Sequence, residues 1–293
     1  MDIDFSLILT LAVLVTGALW AFDAALLKPR RQRDLHAAQA AALAQGSVLT
    51  EDTTRQILRE PWLFETAHGF FPVLAVVWLL RSFLAEPFTI PSGSMLPSLE
   101  VGDYVLVNKF SYGVRLPVLG TEIIPVGLPR RGDVMVFRFP AQPSVNYIKR
   151  VIGLPGDRIQ VRGGMLHING EAVKRERIDD FIDREGAVLT RTPQYVETLP
   201  NGRQHRILEV NDNGPLDDTP VYVVPTGHFF AMGDNRDNSL DSRVQGAVGY
   251  IPAENLVGRA EILFFSTDGS AAWYQFWKWL VATRFGRLFS RIT

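Results

Sequence analysis

The 293-residue chain contains no cysteine. That excludes disulfide frameworks, zinc–thiolate sites and cysteine nucleophiles, and it is compatible with an exported domain as well as a cytosolic one. An excess of either charge is also missing: 30 Lys and Arg face 31 Asp and Glu. No bulk charge therefore calls for nucleic acid as a partner. The amino end has no Lys or Arg and carries Asp2 and Asp4 instead, unlike the basic start of a cleaved secretory signal. Apolar residues are plentiful, at 47%, and the mean hydropathy is positive. Part of the chain is expected to lie in lipid.

Phe5 to Phe22 is an uncharged run of 18 residues, and Ala24 to Leu27 extend it past Asp23. This is about the length that spans a bilayer, so residues 1–27 read as a first, uncleaved transmembrane span. A second span is expected over 67–85. Its core, Phe70 to Leu84, is short and contains Arg81, which could snorkel from one end. A surface-lying amphipathic helix is the competing reading. Lys28, Arg30, Arg31, Arg33, Arg55 and Arg59 lie in the segment between the two. The positive-inside rule puts this 28–66 loop in the cytoplasm and everything after about Glu86 outside. The alanine-rich Ala37 to Ala44 reads as helix or flexible linker.

Residues 86–270 read as mostly β. Val105–Val107, Asp133–Phe139, Tyr147–Ile152 and Arg158–Val161 are short β-branched or aromatic runs, punctuated by Pro, Gly and Asp. Two pieces, 86–170 and 223–270, are expected to form a single β domain. Between them, 171–222 is polar and rich in turns, as in Asn211-Asp212-Asn213-Gly214-Pro215. It reads as an inserted β subdomain, with disorder as the competing reading. Residues 271–293 mix Trp273, Trp277, Trp279 and Phe285 with Lys278, Arg284, Arg287 and Arg291. That mixture suits a helix in the membrane interface, or packing against the domain.

Three blocks carry chemistry. The first is Ile90-Pro91-Ser92-Gly93-Ser94-Met95. Proline fixes φ and glycine frees it, giving a shaped turn that presents a hydroxyl. In the second block, alternation along Tyr147–Ile152 puts Lys149 on the face of Tyr147 and Val151, with Arg150 opposite. Burial lowers a lysine pKa, and a neutral amine in reach of Ser94 would serve as its base. Alone, Lys149 also reads as a solvated edge-strand cation. The third block, Gly233 to Arg243 (GDNRDNSLDSR), packs charge after the apolar His228–Ala231. It reads as a salt-bridged loop, and equally as support for a site.

Together these blocks resemble the signature regions of bacterial type I signal peptidases. Pro91–Met95 is similar to the nucleophile motif of that family, Tyr147–Asp157 (YIKRVIGLPGD) to its lysine motif, and Gly233–Arg243 to its last box. Gly102–Lys109 is similar to an intermediate box. The resemblance implies a membrane-anchored serine endopeptidase that cuts exported preproteins after small-x-small sequences. It implies Ser94 as nucleophile, Lys149 as general base, and Ser92 Oγ with the Ser94 N–H as oxyanion hole. Ser239 would orient the lysine, and Asp241, Arg243 and Arg150 would form a supporting salt-bridge set. Phe88, Ile90, Pro91, Met95, Leu99, Val105, Val136, Tyr147 and Ile148 would wall the substrate pocket. No metal or cofactor is implied. The expected partners are secretory preproteins and membrane lipid, the expected state a monomer. The expected location is the bacterial inner membrane, with the catalytic domain on the periplasmic side.

Overall fold

A computed structural model describes residues 5–118, 121–185, 188–271 and 274–292. Asp2, Asp4 and Trp273 lie outside the described residues. Two compact units are present: residues 1–82 with 116–120, and 83–115 with 121–293.

The first unit holds two long helices, Phe5–Ala44 and Trp62–Leu84, both long and apolar enough to cross a membrane. The first helix does not end near Leu27. It continues through Ala44, because the alanine-rich stretch is strongly helix-forming. The second begins five residues earlier than expected, at Trp62. Phe71 stacks on Trp20 at 5.5 Å between ring centres, and a Cβ on Gly17 would stand 2.8 Å from the Phe71 ring. Glycine there lets the two helices close on each other. Asp23, the lone charge of the apolar run, is fully buried. Arg31, two turns on, meets its two carboxylate oxygens at 2.7 and 2.8 Å, so the charge is compensated inside the helix pair.

The second unit is mostly β, as expected. Its main sheet runs in the spatial order Ala85–Thr89, Asp103–Asn108, Leu256–Ser266, Val134–Phe139, Gln142–Gly153, His228–Met232 and Ile251–Pro252. All pairings along it are antiparallel. Among the described residues, the strand Ala85–Thr89 pairs only with Asp103–Asn108 and forms one edge. Val134 to Phe137 are all buried, so this central strand is apolar on both faces rather than alternating.

Two smaller sheets follow. Arg158–Arg162 and Met165–Ile168 pair with each other and gain Tyr222–Val223 and Glu171–Ala172 on either side. The turn after Met165–Ile168 places Asn169 at φ 55° and Gly170 at φ 90°, the left-handed pair a two-residue hairpin requires. The segment 171–222 thus lends both its ends to a sheet begun by 158–168. Its middle forms a separate three-stranded sheet, Lys174–Glu185, Val188–Thr198 and Gln204–Leu208. Ile152, Ile159, Leu166, Leu199, Phe230 and Met232 share one core cluster across these sheets.

For 271–293 two readings are open, and the described residues show no long helix there: Trp279–Ala282 is α-helical, flanked by the 3-10 turns Phe276–Lys278 and Phe285–Arg287. Ser290–Arg291 instead pairs with Ile262 and Leu263 of the long strand. Arg284 and Arg287 reach Glu100 at 3.2 and 2.9 Å. These cations are occupied by carboxylates of the domain, which favours packing over a free amphipathic helix.

Candidate active site

The first block leaves the edge strand at Thr89 and turns through a single 3-10 turn, Gly93–Met95. Met95 and Leu99 are fully buried beneath it, with Ile90 2% exposed. These apolar side chains anchor a turn on which Ser92 is exposed and Ser94 half-buried. Ser92 is exposed and extended (φ −139°, ψ 156°), and its side chain does not cap the turn.

Lys149 enters from the strand Gln142–Gly153. Its Nζ lies 2.7 Å from Ser94 Oγ and 2.9 Å from the Ile148 carbonyl oxygen. The residue is 4% exposed. Burial pulls its pKa down from 10.5 to about 8, against the opposing pull of Asp241 and Asp234. The dyad expected from the sequence is therefore in contact, and the solvated-cation reading of Lys149 is excluded by its burial. Arg150 points into a different set of partners, consistent with strand alternation, although both faces here are buried.

The third block clamps the nucleophile turn. The Asn235 backbone N–H donates to the Ser94 carbonyl at 3.2 Å, and its side-chain amide to the Gly93 carbonyl at 3.0 Å. Gly233 lies so close that a Cβ there would overlap Ser239 Oγ and crowd the Ser94 carbonyl. A glycine is needed at 233 because of this approach. Asp241 accepts from the Gly233 N–H at 3.0 Å and pairs with Arg243 at 2.9 Å. Burial pushes the Asp241 carboxyl up, but the Arg243 charge and hydrogen bonds leave it below the ordinary range.

The supporting set differs from expectation in its pairing. Arg150 is not joined to Asp241 or Arg243. Its Nε and Nη2 meet the two oxygens of Asp234 at 2.7 Å each. Both partners are 1% exposed, and Ser98 Oγ donates to Asp234 at 2.5 Å. Asp234, Asn235, Gly233 and Ser98 were not singled out from the sequence. Arg150 and Asp234 are 84 residues apart, and three aspartates of the block were equally eligible partners. A further pair, Arg236 with Glu197, ties the block to the strand Val188–Thr198. Ser239 is buried, but its hydroxyl meets no hydrogen-bond partner and does not bond Lys149.

Of the expected pocket walls, Ile90, Met95, Leu99, Val105 and Val136 belong to one buried cluster, with Phe88 and Ile148 packed on it. Phe88 and Ile148 are half-buried, whereas the first five form the floor beneath. Tyr147 belongs to another cluster, stacked on Phe139 at 4.6 Å. Pro91 is exposed.

The sequence model of the family described as signal peptidase, peptidase S26, matches residues 63–265, more than half of the chain. Signal peptidase I of Pseudomonas aeruginosa is 44% identical over 276 residues, covering 91% of this chain and 93% of that protein. Signal peptidase I of Pseudomonas fluorescens is 45% identical with the same coverage. A crystal structure of a signal peptidase I from Enterococcus faecalis shares 23% identity at a TM-score of 0.27, over 45% of this chain and 96% of that one. Serine and buried lysine in contact, held by a charged loop, thus coincide with family membership over most of the length: the chain belongs to the signal peptidase family, peptidase S26, and is a serine peptidase.

Proposed function

We propose that this protein is a membrane-anchored endopeptidase that removes signal peptides from exported preproteins with Ser94 as nucleophile and Lys149 as general base. The observation that carries this reading is the 2.7 Å contact between Lys149 Nζ and Ser94 Oγ, made by a lysine whose pKa burial draws to about 8. A lysine that is in part neutral near pH 8 can take a hydroxyl proton; an exposed one at its ordinary pKa could not do so efficiently.

Neutral Lys149 takes the Ser94 proton as Oγ forms its bond to the scissile carbonyl carbon. The carbonyl π pair moves to oxygen. The Ser94 N–H and the uncapped Ser92 hydroxyl are the donors assigned to that oxyanion, each worth about 3–4 kcal/mol in comparable sites. Collapse breaks the C–N bond, and protonated Lys149 gives its proton to the leaving amine. A water then loses a proton to Lys149 and attacks the acyl carbon; collapse breaks the C–Oγ bond, and protonated Lys149 returns the proton to Ser94 Oγ, releasing the acid product and restoring the neutral lysine. Asp234 with Arg150, and Asp241 with Arg243, hold the strand and loop that carry these groups.

An extended substrate suits the edge strand Ala85–Thr89, whose outer side has no strand partner among the described residues. Adding a strand there would align the peptide with Ser94, and Phe88 and Ile148 over a filled core leave room only for small side chains. The two long apolar helices provide the anchor. The cationic residues between them orient the catalytic unit to the extracytoplasmic side.

The test is cleavage of a preprotein in liposomes by the full chain, Ser94→Ala and Lys149→Met, each checked for folding. Cutting after a small-x-small site by the wild type alone is expected. Undiminished cutting by either folded variant would remove the dyad from the mechanism.

A further inference from the structure

Behind the third block, three carboxylates converge from separate segments. Glu209 follows the strand Gln204–Leu208, Asp217 lies in the return loop, and Asp237 sits in the turn Arg236–Asn238. One oxygen from each falls within 4.8 Å of the other two. Asp237 Oδ2 accepts from the Val210 N–H at 2.6 Å, and Asp217 Oδ2 from the Gly214 N–H at 2.5 Å. Glu209 has no such donor. It is 2% exposed, and its Oε2 is enclosed without a hydrogen-bond partner. Asp217 and Asp237 act on it as like charges, and Arg236 as the opposing cation. Arg236, the cation acting on it, already holds Glu197 through both oxygens.

A buried carboxyl oxygen without a hydrogen-bond partner, beside two other carboxylates, is a position that a cation would satisfy. We propose that Glu209, Asp217 and Asp237 form a binding site for a hard divalent cation, with calcium as the species that fits. Calcium takes oxygen ligands at about 2.3–2.6 Å, so oxygens on opposite sides of one ion stand about 4.6–5.2 Å apart. The spacing here lets one ion touch all three carboxylates. Asp237 opens the site to solvent, leaving positions for the waters that complete the shell. Gly214 keeps the cradle clear, since a Cβ on it would stand 3.0 and 3.1 Å from Asp217 Oδ2 and Asp237 Oδ1. The ion would fasten the loop 209–217 to the block that carries Asn235, the residue clamping the Ser94 turn.

The experiment is calcium titration of the chelator-stripped full chain in detergent, by calorimetry and by thermal melting, with Glu209→Gln and Asp237→Asn alongside. One calcium per chain is expected, with the melting temperature raised by about 5–10 °C at a hundred times Kd. Each variant should weaken binding at least tenfold. No uptake up to about 10 mM calcium, beyond the weakest range of protein calcium modules, would overturn the proposal. So would calcium binding that survives both substitutions. A calcium-independent rise in the melting temperature of Glu209→Gln, with no calcium effect on the wild type, would also overturn it by assigning the cluster to a proton shared between carboxyls.

Discussion

Replacing Lys149 by methionine should make the protein more stable at neutral pH while abolishing its activity. The fall of the lysine pKa from 10.5 to about 8 corresponds to about 3 kcal/mol, at ~1.4 kcal/mol per pH unit. Between pH 8 and 10.5 the unfolded chain retains a proton that the folded chain has lost, so stability rises with pH through that window. Below pH 8 both states hold the charge, and the folded state bears the whole cost of burying it. Methionine has similar length and no charge, so it relieves that cost. It also removes the two Nζ contacts, to Ser94 Oγ and the Ile148 carbonyl, at about 1 kcal/mol each. The net gain at pH 7 is therefore about 1 kcal/mol; it should vanish near pH 9 and become a loss of about 2 kcal/mol by pH 10.5, where only the missing contacts count. Denaturant titration of both proteins at pH 7, 9 and 10.5 measures the gap. The wild-type rate supplies the matching number: kcat/KM should fall tenfold per pH unit below about 8, as neutral lysine is depleted. A methionine variant no more stable than wild type at pH 7 would refute the reasoning. A gap that fails to close by pH 10.5, or a rate flat from pH 6 to 9, would refute it equally.

Asp234→Asn leaves the Arg150 guanidinium buried without its counter-charge, so a loss of about 3–5 kcal/mol is expected in denaturant titration. A loss under about 1 kcal/mol would mean that the pair carries little. Gly233→Ala forces the loop away from Ser239 and the Ser94 carbonyl, so kcat should drop about a hundredfold in a variant whose circular dichroism is unchanged. Activity within threefold of wild type would show that the close approach at 233 is dispensable.

Proline and glycine around Ser94 made a shaped turn legible, but Lys149 alone read equally as a solvated cation, and it was the resemblance of the three blocks to signal peptidases that joined the two. The β character of the second unit was legible because Val134–Phe139 and Tyr147–Ile152 are rich in strand-forming residues. Pairings between distant segments were not. Nothing local distinguishes Asp234 from Asp237 or Asp241 as the partner of Arg150, because that choice depends on which side of the loop faces the strand. The segment 171–222 was expected to be β, but its strands Lys174–Glu185 and Val188–Thr198 were not placed individually, because they lack an alternating apolar face and bury polar residues such as Gln194 and Glu197. At the carboxyl end composition left two readings open, an interfacial helix and packing against the domain. Arg284 and Arg287 look alike whether they face lipid headgroups or Glu100, and only the folded domain presents Glu100 to them.

The clamp on the nucleophile turn sets when the enzyme can exist at all. Ser94 and Lys149 are both made within the first 149 residues, yet Gly233, Asn235 and Asp241 come from the last quarter of the chain. A ribosome-bound or truncated chain that stops before residue 233 carries both reactive groups without the contacts that hold their geometry. Such long-range closure is slow relative to local structure, and here it makes proteolytic competence arrive last. The dyad thus lacks its clamp until the second unit is whole.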